Sequence, residues 1–136
     1  MWCALSLIAG VLVTAQPGWM SGVEIVEAFS GKTVNGYYRT GVTFTEAYLK
    51  NGTADYREAT LAMKGRWSVV NGMFCTLYQD PHGGCFRIAR ESANCYAVYT
   101  AAGSEEEARN PVITPYWLAR AWTTDRPSTC PENVTS

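Results

Sequence analysis

The apolar side chains near residue 20 repeat with the period of a helix. Ser21-Gly-Val-Glu24 is a capping-box pattern, in which Ser21 accepts from the backbone of Glu24 and the Glu24 carboxylate reaches back. Val23, Val26 and Phe29 follow at helical spacing, and a glycine at position 31 provides a stop. The pattern predicts one short amphipathic helix over about residues 22–30.

From Thr33 onward the apolar positions alternate with period two, which is typical of strands. Asn-Gly pairs at 51–52 and 71–72 lie between strand-like runs. They favour tight hairpin turns because both residues tolerate positive φ in a type I′ turn. Further turn sequences occupy residues 80–84 and 91–93. Turns at such regular intervals predict an antiparallel up-and-down meander.

The turn positions predict which residues of neighbouring strands lie opposite each other. A two-residue turn at 71–72 and a turn centred near 80 place Phe74 opposite Phe86. A three-residue turn at 91–93 places Ile88 opposite Tyr96. Because side chains alternate between faces, one face then collects a nearly apolar set. This set comprises Trp67, Val69, Phe74, Thr76, Phe86, Ile88, Tyr96 and Val98.

An apolar face of this width must point inward. The unpaired backbone groups at the edges of its sheet must also be covered or paired. We therefore expect a mainly β fold, in which about seven or eight strands close into a barrel or curl over the N-terminal helix. A barrel of this size can keep a lumen for one small apolar ligand. Within the apolar face, Trp67, Phe74, Phe86 and Tyr96 are the candidate ligand-binding residues.

The composition is that of a globular chain with little attraction for phosphates. The 136 residues fit one domain, and 47% hydrophobic with 17% charged residues suffice for a core. A net charge of −1 gives no basic excess, so nucleic acid is not an expected partner. No phosphate loop, dinucleotide fingerprint or Gly-x-Ser-x-Gly elbow occurs, so neither a cofactor nor a catalytic residue is predicted.

The first fifteen residues resemble an export signal. They contain no charged side chain, and a short apolar run from Ala4 to Val13 precedes small residues at 13–15. The run is too short to span a membrane. We expect a signal peptide over residues 1–15, a single domain over 16–136, and a periplasmic or secreted location.

Four cysteines remain after such a cleavage, an even number that favours two disulfides in an oxidising compartment. The strand pairing places Cys75 opposite Cys85, which leaves Cys95 to join Cys130. The alternative is that Cys95 pairs with Cys75 or with Cys85, and that Cys130 pairs with whichever of those two remains. The spacing of ten residues lacks the knuckles of a zinc site, so no metal is predicted.

Several short motifs, in this order, resemble a family of small exported bacterial proteins. They are Gly31-Lys-Thr-Val, Phe44-Thr-Glu-Ala-Tyr48, Asn51-Gly52-Thr53, Gly65-Arg-Trp67, Cys75, Cys85-Phe-Arg-Ile and Asn94-Cys95-Tyr96. The family is a lipocalin-like domain of unknown function. The resemblance implies a calycin-type barrel and an exported location, and it implies no reaction and no catalytic residues.

These observations lead to a functional hypothesis. We expect a non-enzymatic exported barrel that binds a small apolar ligand in its lumen or a protein partner at its rim. The alternative is a periplasmic inhibitor of a cell-wall hydrolase, acting through a loop with His82 or through the acidic run 105–107. A third hypothesis is a hydrolytic site built from His82 and Asp80. The chain has no second histidine to complete such a site.

Overall fold

The computed structural model describes residues 18–79 and 83–133. The expected export signal lies outside these residues, as do Asp80 and His82, so the hypotheses that use them stay untested. The helix α1 spans Gly22–Phe29, and both hydrogen bonds of the capping box at Ser21 and Glu24 are present. The predicted N-terminal helix is therefore confirmed.

Eight strands follow α1 and form one closed sheet. They are β1 (Lys32–Tyr38), β2 (Thr43–Tyr48), β3 (Thr53–Glu58), β4 (Leu61–Val70), β5 (Met73–Tyr78), β6 (Gly83–Ser92), β7 (Cys95–Ala102) and β8 (Ala119–Thr123). Each strand pairs antiparallel with the next, and β1 also pairs with β8. The predicted mainly β fold, an antiparallel up-and-down meander that closes into a barrel, is confirmed.

The two Asn-Gly pairs make different turns. Asn71 and Gly72 both have positive φ, 52° and 72°, as a type I′ hairpin requires. At the other pair only Gly52 has positive φ. There the backbone N–H of Gly52 donates to the carbonyl of Leu49, and the Asn51 side chain accepts from the backbone of Thr53. The turn at 51–52 is confirmed, but the type I′ geometry was wrong at that position.

The predicted pairing is correct between β5 and β6 and wrong between β6 and β7. Phe74 lies opposite Phe86, as expected. Ile88 lies opposite Val98 instead of Tyr96, because β6 continues through Ser92 and bulges before the turn. The displacement along β7 is two residues, so every side chain keeps its predicted face.

Inward side chains and α1 form the main core. Ile25 and Phe29 of the helix are buried together with Phe74, Ile88 and Tyr96 of the sheet. The helix therefore closes one end of the barrel. The opposite end carries the β1–β2, β3–β4 and β7–β8 connections. The β7–β8 connection contains a short 3₁₀ helix, Glu107–Arg109.

A second, smaller core lies on the outer face of the sheet. Met73, Cys75 and Cys85 are buried there against Ala101 and Ala108. The β7–β8 connection supplies Ala108 and thus covers this part of the barrel. The two cysteines consequently lie away from the lumen, as the alternation of β5 and β6 predicts.

The cysteines pair as Cys75–Cys85 and Cys95–Cys130, with Cα atoms 4.1 and 4.8 Å apart. The first pairing predicted from the strand register is confirmed, and the alternatives are wrong. The second bridge fixes the segment after β8, where the buried amide of Asn94 also donates to the carbonyls of Arg126 and Pro127.

Removal of the Cys95–Cys130 bridge is expected to cost more stability than removal of Cys75–Cys85. The bridges join residues 35 and 10 positions apart, and a longer loop restricts the unfolded chain more strongly. We expect the paired Cys95→Ala/Cys130→Ala variant to unfold with a free energy lower by about 1 kcal/mol than the paired Cys75→Ala/Cys85→Ala variant. Urea unfolding measures both, and an equal or reversed order would contradict this account.

Candidate functional site

The barrel encloses a cavity of about 340 Å³. This volume lies within the range of pockets that hold small molecules. Nine aromatic residues line the cavity, among them Phe29, Phe44, Tyr48, Tyr56, Phe74 and Phe86. Apolar walls of this kind favour a ligand with an apolar body, because its surface leaves water on binding.

The deep end of the cavity is formed where α1 meets the sheet. The ring of Phe29 lies 4.8 Å from that of Tyr96, 5.9 Å from Phe74 and 6.0 Å from Tyr48, measured between centroids. Edge-on and tilted rings at these separations pack favourably. Arg90 donates to the hydroxyl of Tyr96, which satisfies the polar end of this buried ring.

The cavity reaches the opposite end of the barrel. Glu58, Gly83, Gly103 and Leu118 line it there, and Gly83 and Gly103 are exposed to solvent. Glu58 and Gly83 lie at the ends of β3 and β6, and Gly103 and Leu118 belong to the β7–β8 connection. We call this end the mouth, and a ligand can reach the aromatic wall from it.

Gly36 of β1 makes room for an aromatic ring in the lumen. A Cβ at this position would lie 2.5 Å from the ring of Phe44 and 2.6 Å from the backbone oxygen of Arg120. The absence of a side chain therefore lets Phe44 lie across β1. Its ring packs 4.8 Å from Tyr38 and 5.9 Å from Tyr56.

A carboxyl group lies inside this aromatic wall. Glu46 of β2 lines the cavity and is 7% exposed. The hydroxyl of Tyr48 donates to its Oε1, and the hydroxyl of Tyr78 donates to its Oε2 over 2.8 Å. Burial raises the pKa of Glu46, and the two tyrosine hydrogen bonds offset the rise only in part.

A second carboxyl group lies closer to the mouth. The hydroxyl of Tyr56 donates to Glu58, and the hydroxyls of Tyr38 and Tyr56 are 2.7 Å apart. Because Tyr56 donates to Glu58, Tyr38 supplies the hydrogen of the contact between the two hydroxyls. Burial raises the pKa of Tyr38 and of Tyr56, so both rings stay neutral at ordinary pH.

Neither carboxyl group pairs with a cation in the described parts of the chain. The ion pairs found there join Lys32 to Asp125 and Arg120 to Glu91. Buried charges in proteins are normally paired or fully hydrogen-bonded. The lumen thus combines an apolar wall with two carboxyl groups that no cation of the described residues neutralises.

The structure places three of the four predicted ligand-binding residues on the cavity wall. These are Phe74, Phe86 and Tyr96. Trp67 packs behind the wall, where its ring stacks on Phe74 at 6.0 Å and its Nε1 donates to the carbonyl of Leu49. Trp67 therefore supports the wall.

The four cysteines that the structure describes are not available as metal ligands, because they are in disulfides. Within residues 18–79 and 83–133, no three His, Cys, Asp or Glu side chains converge as a metal site requires. Glu105 and Glu107 of the acidic run bond to Ser68 and to the backbone of Gly103. This part of the run is engaged in contacts within the chain.

Sequence reasoning missed the polar groups of the lumen. Glu46 stands between Phe44 and Tyr48 in an alternating strand, and this alternation places its side chain inward. Tyr78 likewise follows Phe74 and Thr76 on the inward face. The signal was therefore present, but only the closed sheet, in which β2 and β5 face one interior, shows that these groups meet.

The buried Glu46 is expected to make stability depend on pH. Its folded-state pKa is raised above the ordinary value of 4.5, so its favourable contribution is present below that value and declines as pH rises through the folded pKa. Glu46→Gln removes the charge. We expect the wild type to lose stability relative to this variant as the pH rises above 4.5, measured by urea unfolding.

Glu106→Gln is the matched control, because Glu106 is exposed and the substitution removes the same charge. This variant should follow the wild type at every pH. Parallel stability curves for the wild type and Glu46→Gln would show that Glu46 does not titrate differently in the folded chain.

No protein-family model matches the chain. No curated protein matches it significantly.

Proposed function

We propose that the chain is an exported lipocalin-like barrel, with a domain over residues 16–136, that binds a small apolar ligand in its lumen. The aromatic cavity of about 340 Å³ is the observation that carries this proposal. Phe74, Phe86 and Tyr96 supply apolar contact area, and Trp67 holds the Phe74 ring in place. The motif resemblance to an exported lipocalin-like family is consistent with it.

Two lines of support favour a periplasmic or secreted location. Disulfides persist in oxidising compartments, and the chain contains two of them. The first fifteen residues have the composition of an export signal. Among the helices that the structure describes, none is long and apolar enough to cross a membrane.

Titration with an uncharged fluorescent probe such as N-phenylnaphthylamine tests the binding function. We expect saturable binding with a stoichiometry of one. Ala119→Phe should weaken it by about 10-fold or more, since Ala119 is buried on the cavity wall and a phenyl ring there fills ligand space. Circular dichroism and thermal unfolding would establish that the variant is folded.

Ala62→Phe is the control for this substitution. Ala62 lies on β4 with its side chain exposed, so the same phenyl ring is added outside the lumen. It should leave probe affinity unchanged. Equal weakening by the two variants, or no saturable binding to the wild type, would contradict a ligand-binding lumen.

A protein partner at the mouth is the second candidate. Leu77 and Val112 are 68% and 82% exposed, and Tyr116 is exposed as well. Leu77 lies near the end of β5, and the other two lie on the β7–β8 connection. If uncharged probes fail to bind, this apolar rim is the remaining candidate surface.

A further inference from the structure

We propose that the lumen selects ligands that carry a protonated amine on an apolar body, with Glu46 receiving the ammonium group. This inference rests on the proposed ligand-binding function and specifies the chemical class of the ligand. It is carried by a buried carboxyl group that faces an apolar cavity and has hydrogen-bond capacity to spare.

Glu46 has acceptor positions that the protein does not use. Each of its oxygens accepts one tyrosine hydroxyl, from Tyr48 at Oε1 and from Tyr78 at Oε2. A carboxylate offers about four acceptor positions, so two are free. Because Glu46 lines the cavity, a ligand can reach them. The tyrosines hold the carboxyl group in place, which reduces the ordering that binding requires.

Four arginines of the barrel have partners other than Glu46. Arg39 and Arg120 stack on the ring of Trp117, each 4.4 Å from its centroid. Arg87 donates to the carbonyl of Gly72, and Arg90 donates to the hydroxyl of Tyr96 at the closed end. No cation contributes to the pKa of Glu46, which burial and two tyrosine hydrogen bonds determine. A cation from a ligand is therefore the missing partner.

The aromatic wall suits a cation as well as an apolar body. Tyr38, Phe44 and Tyr56 line the cavity together, and the Phe44 and Tyr56 rings are nearly parallel at 5.9 Å. Neutral aromatic faces attract ammonium groups, more strongly when water is excluded. Tyr56 and Tyr78 remain neutral because burial raises the pKa of each.

Charge at the mouth has the same sign. Glu58 lines the cavity near the mouth and is held there by Tyr56. A ligand thus passes one carboxylate before it meets the second, and negative charge along a low-dielectric cleft attracts cations. A ligand carboxylate would find no cationic partner among the described residues of the lumen and would oppose ionisation of both groups, so fatty acids and other anionic amphiphiles are disfavoured as occupants.

Displacement of N-phenylnaphthylamine by three ligands of one shape tests the inference. Naphthylmethylamine is protonated at neutral pH, ethylnaphthalene is uncharged, and naphthoate is an anion. We expect the amine to bind the wild type about 10- to 100-fold more tightly than ethylnaphthalene, the range of a hydrogen bond to a charged group. Naphthoate should bind more weakly than ethylnaphthalene. These three affinities are all measured on the wild-type protein.

Glu46→Gln identifies the residue responsible. It keeps the size of the side chain and should remove most of the preference for the amine, while the affinity for ethylnaphthalene stays within about 3-fold. Glu106→Gln removes the same charge from an exposed position and should leave all three affinities unchanged. A full preference for the amine in Glu46→Gln would assign the selectivity to another group and overturn the inference.

The outcomes separate this inference from the proposed function. If ethylnaphthalene and the probe bind but the amine binds no better, the lumen is a ligand site without selection for amines. If none of the uncharged compounds binds and the amine also fails, the proposed function itself is wrong.

Discussion

Pairing of β1 with β8 closes the sheet on itself, and the inward side chains of eight strands therefore share one interior. Closure removes the exposed strand edges that an open sheet would present. It also brings together residues that lie far apart in the chain, such as Glu46 and Tyr78. The helix α1 fills one end of this interior with Ile25 and Phe29, and the remaining volume is the cavity.

The position of Glu46 follows from this closure. A buried carboxyl group costs free energy unless its oxygens are satisfied, and an ionised one costs more. Tyr48 and Tyr78 reduce that cost without bringing in a positive charge. The arrangement differs from a structural ion pair, in which both charges are neutralised within the fold. It leaves a polar group that is oriented and reachable in an otherwise apolar space.

Elements set by neighbouring residues were predictable. The capping box at Ser21 acts within one turn, and Asn71-Gly72 adopts the type I′ geometry that its own φ preferences favour. Asn51-Gly52 departs from that geometry because the connection from β2 to β3 needs one more residue than a two-residue turn. The bulge before the β6–β7 turn was not predictable from neighbouring residues. That end of the barrel is also held by contacts with the distant segment after β8, such as the bond from the Asn94 backbone to Thr129.

The sequence by itself determined the strand periodicity, the inward set that contains Phe74, Phe86 and Tyr96, and the pairing of Cys75 with Cys85. These depend on alternation and turn positions, which act over a few residues. The tertiary structure alone decided the volume of the lumen, the supporting role of Trp67 and the meeting of Glu46 with Tyr48 and Tyr78. A cavity is the space that side chains from distant strands leave unfilled, and its size depends on how the ring of strands closes.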